Sequence, residues 1–226
     1  TATPTITPRS PKAIILSQNY RFTTNAVKSF GATLRYRQYH YDNQTSEHDF
    51  PGHVRLDQVW EAIPASAEPR GYKQRVYGVD LDWSPVARTT LAGTYEVQKR
   101  GRDHREIESD EEKSWSIQAR VRPMTGVEAK ARYRRGDRKQ DKFLDEDYQD
   151  SSGNFIEQPT LRRFDVANRI QQMADGSLSW SPNEKFVLMG TVAYQFNDFR
   201  DSPLGLRNER QQNASAEATY HATDRL

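Results

Sequence analysis

Apolar and polar residues alternate with a period of two through most of this chain, and the alternation is interrupted at repeated places. In the stretch Gly176 to Phe196, Leu178 and Trp180 alternate with Ser177, Ser179 and Ser181 on an outgoing arm. Pro182-Asn183-Glu184 then supplies turn chemistry: a proline with fixed φ and an asparagine that tolerates left-handed geometry. Phe186, Leu188, Gly190, Val192 and Tyr194 occupy one face of the returning arm, and Val187, Met189, Thr191, Ala193 and Gln195 the other. Successive strand side chains point to opposite faces, so one face is built for apolar surroundings and the other is polar or small. Phe186 to Tyr194 has the length of a tilted strand that crosses a bilayer, roughly 9–11 residues. Its aromatics sit near the two ends, where an interfacial girdle belongs.

The same pattern recurs. Lys12 to Phe22 reads as a strand followed by a tight turn at Thr23 to Ala26, and Phe30, Ala32, Leu34 and Tyr36 define the next strand. A polar segment from about Gln38 to Lys73 separates these from a second hairpin. Tyr77, Val79, Leu81 and Trp83 go out, Ser84 to Ala87 turn, and Thr89, Leu91, Gly93, Tyr95 and Val97 return. After a charged loop over 99–113, Trp115, Ile117, Ala119 and Val121 pass through a turn at Pro123 to Gly126 into Val127, Ala129, Ala131 and Tyr133. A polar loop covers about Arg135 to Arg162. Phe164, Val166, Ile170, Leu178 and Trp180 then share one parity, which predicts a single long strand. After a loop from Asn197 to Arg210, Ala214, Ala216, Ala218 and Tyr220 form the last.

Short turns at one end and much longer, unequal loops at the other are the asymmetry of outer-membrane barrels. The pattern therefore predicts an all-β fold, an antiparallel transmembrane barrel built as a meander of hairpins. Residues 1–11, with three prolines, read as a linker or loop, and 12–226 as a barrel segment of about eight or nine strands. A soluble β-sandwich or solenoid is the competing architecture.

Composition fits that picture. Charged residues make up 28% of 226 residues, with a net charge of only +2. The mean hydropathy is −0.97. Disorder would explain so low a hydropathy, but aromatics at 11% oppose it. Apolar residues confined to half of each strand, with polar loops, give the same average. The near-neutral charge offers no reason to propose nucleic acid as a partner. The chain has no cysteine, which excludes disulfides, thiolate metal sites and covalently attached c-type haem, which needs C-x-x-C-H.

Three stretches carry a more specific likeness. RRFDVANRIQQ, then strand, SP turn and strand, then YQFNDFRDSPLGL, resembles the MtrB/PioB family of decahaem-associated outer-membrane barrels. LRYRQYHYDNQT and GVDLDWSPVARTTLAGTYEVQKR are similar to the same family's hairpins. The motif positions are Phe164, Asp165, Asn168, Arg169, Asp201, Pro203 and Gly205. The resemblance implies a bacterial outer-membrane barrel that sheathes a periplasmic multihaem c-type cytochrome, with an extracellular cytochrome as a further partner. Haem c is then expected in the partner, with no cofactor bound covalently by this chain. Eight strands leave an interior just filled by side chains, so the likeness also implies a segment of a larger barrel.

Candidate sites follow from the two faces. Arg35, Arg37, Arg120, Arg122, Lys130, Arg132 and Arg134 are expected to line the lumen. There they would meet haem propionates or acidic patches of a guest through charge-assisted hydrogen bonds. The plainer reading, favoured because exposed charge pairs are common and weak, is a hydrated wall with Glu128 and Asp82 as partners. Leu178, Trp180, Phe186, Leu188, Val192 and Tyr194 are expected to face lipid. Arg163, Asp165, Asn168 and Arg169 suit a partner contact or, equally, a local turn and salt-bridge network. Asp145, Glu146, Asp147 and Asp150 lack the spaced ligands and central glycine of a calcium loop. No H-E-x-x-H, G-x-S-x-G, phosphate-binding or dinucleotide motif occurs. No catalytic or metal site is expected, and not an enzyme. A general porin or solute channel is the alternative function, and a soluble β-rich binding domain a third.

Overall fold

The computed structural model describes residues 11–50, 53–54, 60–61, 65–105, 107–141, 164, 167–200 and 204–222. Nine strands form one antiparallel meander: β1 (Ala13–Val27), β2 (Phe30–Asn43), β7 (Tyr72–Trp83), β8 (Thr89–Arg102), β9 (Ser109–Val121), β10 (Val127–Gln140), β11 (Arg169–Asn183), β12 (Phe186–Asp198) and β13 (Asn208–Tyr220). Each pairs with the next in chain order. Four short strands lie within the connection from β2 to β7: β3 (His48–Phe50) pairs with β6 (Ala65–Ala67), and β4 (His53–Val54) with β5 (Trp60–Glu61). The sheet is open, with β1 and β13 at its edges among the described residues.

Four tight connections lie at one end of the sheet, over 28–29, 84–88, 122–126 and 184–185. In two of them a carbonyl accepts from an amide three residues on: Val86 from Thr89 and Met124 from Val127, both at 3.2 Å. The residue just before the returning strand is left-handed in three turns: Ser29 (φ 67°), Arg88 (φ 66°) and Gly126 (φ 78°). The left-handed residue lets a two- to five-residue loop follow the right-handed twist of the flanking strands. Neighbouring hairpins are tied at the same place. The carbonyls of Ser29, Arg88, Gly126 and Lys185 accept from the amides of Ser84, Arg122, Ser181 and His221, at 2.8, 2.9, 2.6 and 2.9 Å.

Gly126 is the most constrained of these. A Cβ there would lie 2.2 Å from the Ser181 carbonyl oxygen, the same edge that the turn uses to hold the next hairpin. Gly126→Ala therefore adds a backbone clash to a left-handed φ and is expected to cost about 1–3 kcal/mol. A lowered urea midpoint for the folded barrel band on a semi-native gel checks this, and an unchanged midpoint would show that the turn relaxes.

The strands run further than the alternation reveals. β1 continues through Thr23 to Val27, so the first turn lies at Lys28-Ser29 instead of Thr23 to Ala26. β2 extends to Asn43, β8 to Arg102 and β10 to Gln140, while β9 starts at Ser109. The charged loop expected over 99–113 shrinks to 103–108. The reason is physical: beyond the aromatic rows both faces of the sheet turn polar, so the period disappears while the hydrogen-bond ladder continues. β11 begins at Arg169, and Phe164 lies in a turn before it. The last hairpin turns at Glu184-Lys185, after a register shift between Trp180 and Asn183. The segment 1–10 and residues Asp145 to Asp147, Asp150, Arg163, Asp165, Val166, Asp201 and Pro203 lie outside the described residues.

Candidate functional site

The register sorts every strand residue to one of two faces. On the first face, one row runs Phe30, Trp83, Leu91, Ala119, Ala131, Gly176, Val192 and Ala214 across eight strands. The next row toward the long connections runs Ala32, Leu81, Gly93, Ile117, Tyr133, Ala174 and Tyr194. Among the described residues, no other element packs on this face. Leu178 is 54% exposed and Val192 62%, and large apolar side chains stand exposed on eight of the nine strands, all but β10. Such an area far exceeds the few hundred Å² that a soluble monomer leaves as one apolar patch.

Aromatics close the apolar band at both ends. Near the tight turns stand Phe30, Trp83, Trp180, Phe186 and Tyr220, with Phe186 and Tyr220 at 6.0 Å between ring centroids. At the other end Tyr20 and Tyr36 stack at 6.0 Å, Tyr36 meets Tyr77 at 5.2 Å, and Trp115 meets Tyr133 at 5.4 Å. Six residues separate the two rows on β2 (Phe30 to Tyr36) and on β7 (Tyr77 to Trp83). That is about 20 Å of strand. Leu178, Trp180, Phe186, Leu188, Val192 and Tyr194 all occupy this face.

The opposite face is polar. Arg35 donates to both oxygens of Asp80, at 2.5 and 2.9 Å, and its Nη1 lies 3.6 Å from Glu96. Thr94 Oγ1 also donates to Asp80, at 2.9 Å. Gly78 sits directly opposite Arg35, and a Cβ there would lie 2.9 Å from the guanidinium, so the glycine makes room for the side chain to cross β7. On β9, β10 and the turn between them, Glu128 gathers Arg122 at 2.7 Å, Lys130 at 2.8 Å and Arg120 at 4.0 Å. Arg132 pairs with Asp175 at 2.8 Å. Arg134 donates to Ser114 Oγ at 3.3 Å. Among the described residues Arg37 and Arg134 have no carboxylate within ion-pair distance. The seven cations predicted for one face thus share it, but five are already paired within the wall.

A cluster at the long-connection end of the same face includes Asn168 and Arg169, already singled out in the sequence, together with Arg138, which was not. Arg138 is only 5% exposed, and it donates to the Ala167 carbonyl at 2.9 and 2.7 Å and to the Phe164 carbonyl at 2.6 Å. Asn168 Oδ1 accepts from the Gln140 amide at 2.7 Å, and Arg169 reaches Glu112 at 2.9 Å. Arg102 pairs with the buried Asp110. In the second motif, Asn197 accepts from Gln171 at 3.0 Å and donates to Glu209 at 2.9 Å. The Phe199 amide binds the Arg207 carbonyl at 2.8 Å across a bend where Gly205 takes φ 102°. The described motif residues therefore build local turns and networks that seat the connections on the strand ends. The sequence signal for Arg138 was weak, because its partners are backbone carbonyls 26–29 residues away.

Comparison with known proteins agrees with this geometry. Residues 13–226 match the model of the family described as outer membrane beta-barrel porin, MtrB/PioB. The chain is 20% identical over 215 residues to outer membrane protein MtrB of Shewanella baltica, covering 95% of this chain and 30% of that protein. It thus spans under a third of that relative's length. Among solved structures it is similar in fold to OmpT expressed in the outer membrane of Vibrio cholerae, with a TM-score of 0.55 and 8% identity over 92% of this chain and 56% of that one. An in-vitro folded form of the same protein gives a TM-score of 0.54 at 8% identity, covering 90% of this chain and 55% of that one.

Proposed function

The chain belongs to the MtrB/PioB family of outer-membrane β-barrel porins, and from that premise we propose that it is a section of barrel wall sheathing a periplasmic multihaem c-type cytochrome, which carries electrons across the outer membrane. The apolar face meets lipid, and the polar face surrounds the guest. The observation that carries this reading is the pairing of an exposed apolar band with a polar face on which Arg37 and Arg134 lack carboxylate partners among the described residues. A guanidinium so placed can hold a propionate or a carboxylate of a guest by charge-assisted hydrogen bonds.

Size supports it. Nine strands occupy a stretch that spans 30% of the relative. At that density the whole relative has room for roughly 30 strands, and barrel diameter grows about linearly with strand number. A lumen of that class admits a folded protein. Electron transfer then rests on haems held by the guest, because this stretch has no cysteine for thioether attachment. An extracellular cytochrome is a further partner on this reading, and catalysis by the wall itself forms no part of it. The five cations already paired within the wall favour the second reading, a porin with a water-filled lumen.

The full-length protein, drawn from native outer membranes in mild detergent and read by haem absorbance and a haem-stained gel, separates the two. A stoichiometric multihaem cytochrome in the eluate is the expected result. A colourless barrel that conducts ions in a planar bilayer would establish the porin instead.

A further inference from the structure

Beyond the aromatic row at the long-connection end, the lipid-side face changes character over one strand step. Arg75, Lys99, Glu111 and Lys139 stand directly opposite one another on β7, β8, β9 and β10. The row covers three strand spacings, roughly 14 Å. Lys99 and Lys113 both lean on Glu111, at 3.0 and 2.9 Å, so one carboxylate is shared by two ammonium groups that remain 57% and 58% exposed. One step further out, Gly101 lies between Lys73 and Ser109 with nothing within 4 Å of the place its Cβ would take. Gly101 forms part of a polar recess of about 490 Å³, whose lining includes Lys73, Arg75, Lys99, Glu111, Lys139 and Asp141. The whole lining carries five cations, Arg100 included, against the three carboxylates of Asp110, Glu111 and Asp141, so cations are in excess.

Two of these strands, β9 and β10, continue from this recess into an apolar groove. Trp115 lies four residues along β9 from Glu111, about 13 Å. From there a groove of about 980 Å³ runs over Ala119, Ala131, Ala174 and Gly176, between the walls made by Trp115 and Tyr194. Alanine and glycine form its floor and bulky side chains its rim. A second recess of about 660 Å³ at Leu178, Gly190 and Ala216 shares Gly176, Val192 and Ala214 with the groove and extends it toward the tight turns. A cationic recess and a small-residue groove in line on one face are independent features that call for one amphiphile. Arg75, Lys99 and Lys139 offer charge to anionic groups, and the alanines offer an apolar floor to acyl chains.

We infer that this face holds one lipid of the outer leaflet, a phosphorylated sugar bearing several acyl chains of the lipopolysaccharide class. The long connections place the recess on the outer side of the membrane, where that lipid is found. The width of the cation row suits two separated anionic groups better than one phosphodiester. This inference rests on the proposed lipid-facing role of the apolar face but not on any guest in the lumen.

The test is lipid retention by the full-length protein purified from outer membranes in non-ionic detergent. Hydroxy-acyl chains are counted per barrel by mass spectrometry, with phospholipid phosphorus measured beside them. Wild type is expected to keep about one lipopolysaccharide, and Lys99→Glu/Lys139→Glu to keep roughly tenfold less as attraction becomes repulsion. Ala131→Leu/Ala174→Leu, which fills the groove, is expected to lose retention with the cations intact. A heat-modifiable gel band verifies assembly of each variant. Should charge reversal prevent assembly, Lys99→Gln/Lys139→Gln is measured against the same expectation. Equal retention by wild type and the charge variants would overturn the inference, as would a wild type that keeps phospholipid in place of lipopolysaccharide.

Discussion

Val192→Arg is expected to cost roughly 2–4 kcal/mol of barrel stability, the depth-dependent penalty of a cation at the midplane of a lipid-facing strand. Val192 is the central residue of β12 (Phe186–Asp198). It stands 62% exposed, flanked across the ladder by Gly176 and Ala214. Neither neighbour offers a polar atom beyond the backbone, and no water would reach a guanidinium there. The control is one residue away. Ala193 points to the opposite face, directly across from Asp175, whose carboxylate already accepts from Arg132 at 2.8 Å. Ala193→Arg should therefore assemble with little loss. Both are measured by urea titration of the heat-modifiable band after insertion into vesicles. If the two substitutions behave alike, or if Ala193→Arg is the worse, the assignment of lipid and lumen faces is reversed.

Arg138→Met carries the second large effect, and a local one. The guanidinium is buried and makes three hydrogen bonds to the carbonyls of Phe164 and Ala167. Methionine keeps much of the apolar stem but leaves those carbonyls unpaired in a site that excludes water. The expected loss is about 2–4 kcal/mol, concentrated on the connection between β10 and β11. The apolar face is untouched, so the heat-modifiable band should persist. Limited proteolysis should then cut between Asp141 and Ala167 at least about thirtyfold faster, because cleavage follows the population of the opened segment. Arg138→Lys keeps the charge and loses the planar fork, and should fall between the two. An unchanged cutting rate in the methionine variant would mean that Arg138 does not seat this connection.

These two residues mark the boundary between what was legible in the chain and what was not. Val192 was readable because its neighbours at every second position are apolar over nine residues, and a period of two has only one structural meaning at that length. The positions of the hairpins were readable for a related reason. Ser84-Pro85, Pro123 to Gly126 and the asparagine at 183 interrupt the period with residues whose backbone preferences suit a turn. The apolar set and the cations of the opposite face both followed from the same parity.

The strand ends did not follow. Past Tyr77 on β7 and Trp115 on β9, charged residues replace the apolar ones on the aromatic face, so the apolar period ends, although the ladder continues to Tyr72 and Ser109. Partner choice on the polar face was equally hidden. Arg35 and Asp80 lie 45 residues apart and meet only because β2 pairs with β7 in one register, over a glycine that leaves room. Arg138 belongs to the same class. It meets Phe164 and Ala167, which precede β11 in the chain, and its acceptors there are backbone carbonyls, which every residue carries. The sequence by itself determined the faces, the hairpin order and the family likeness, because these depend on periodicity and short-range turn chemistry. The register, the ion pairs, the seated motif and the recess at Gly101 were decided by tertiary structure, because each requires strands distant in sequence to be set side by side.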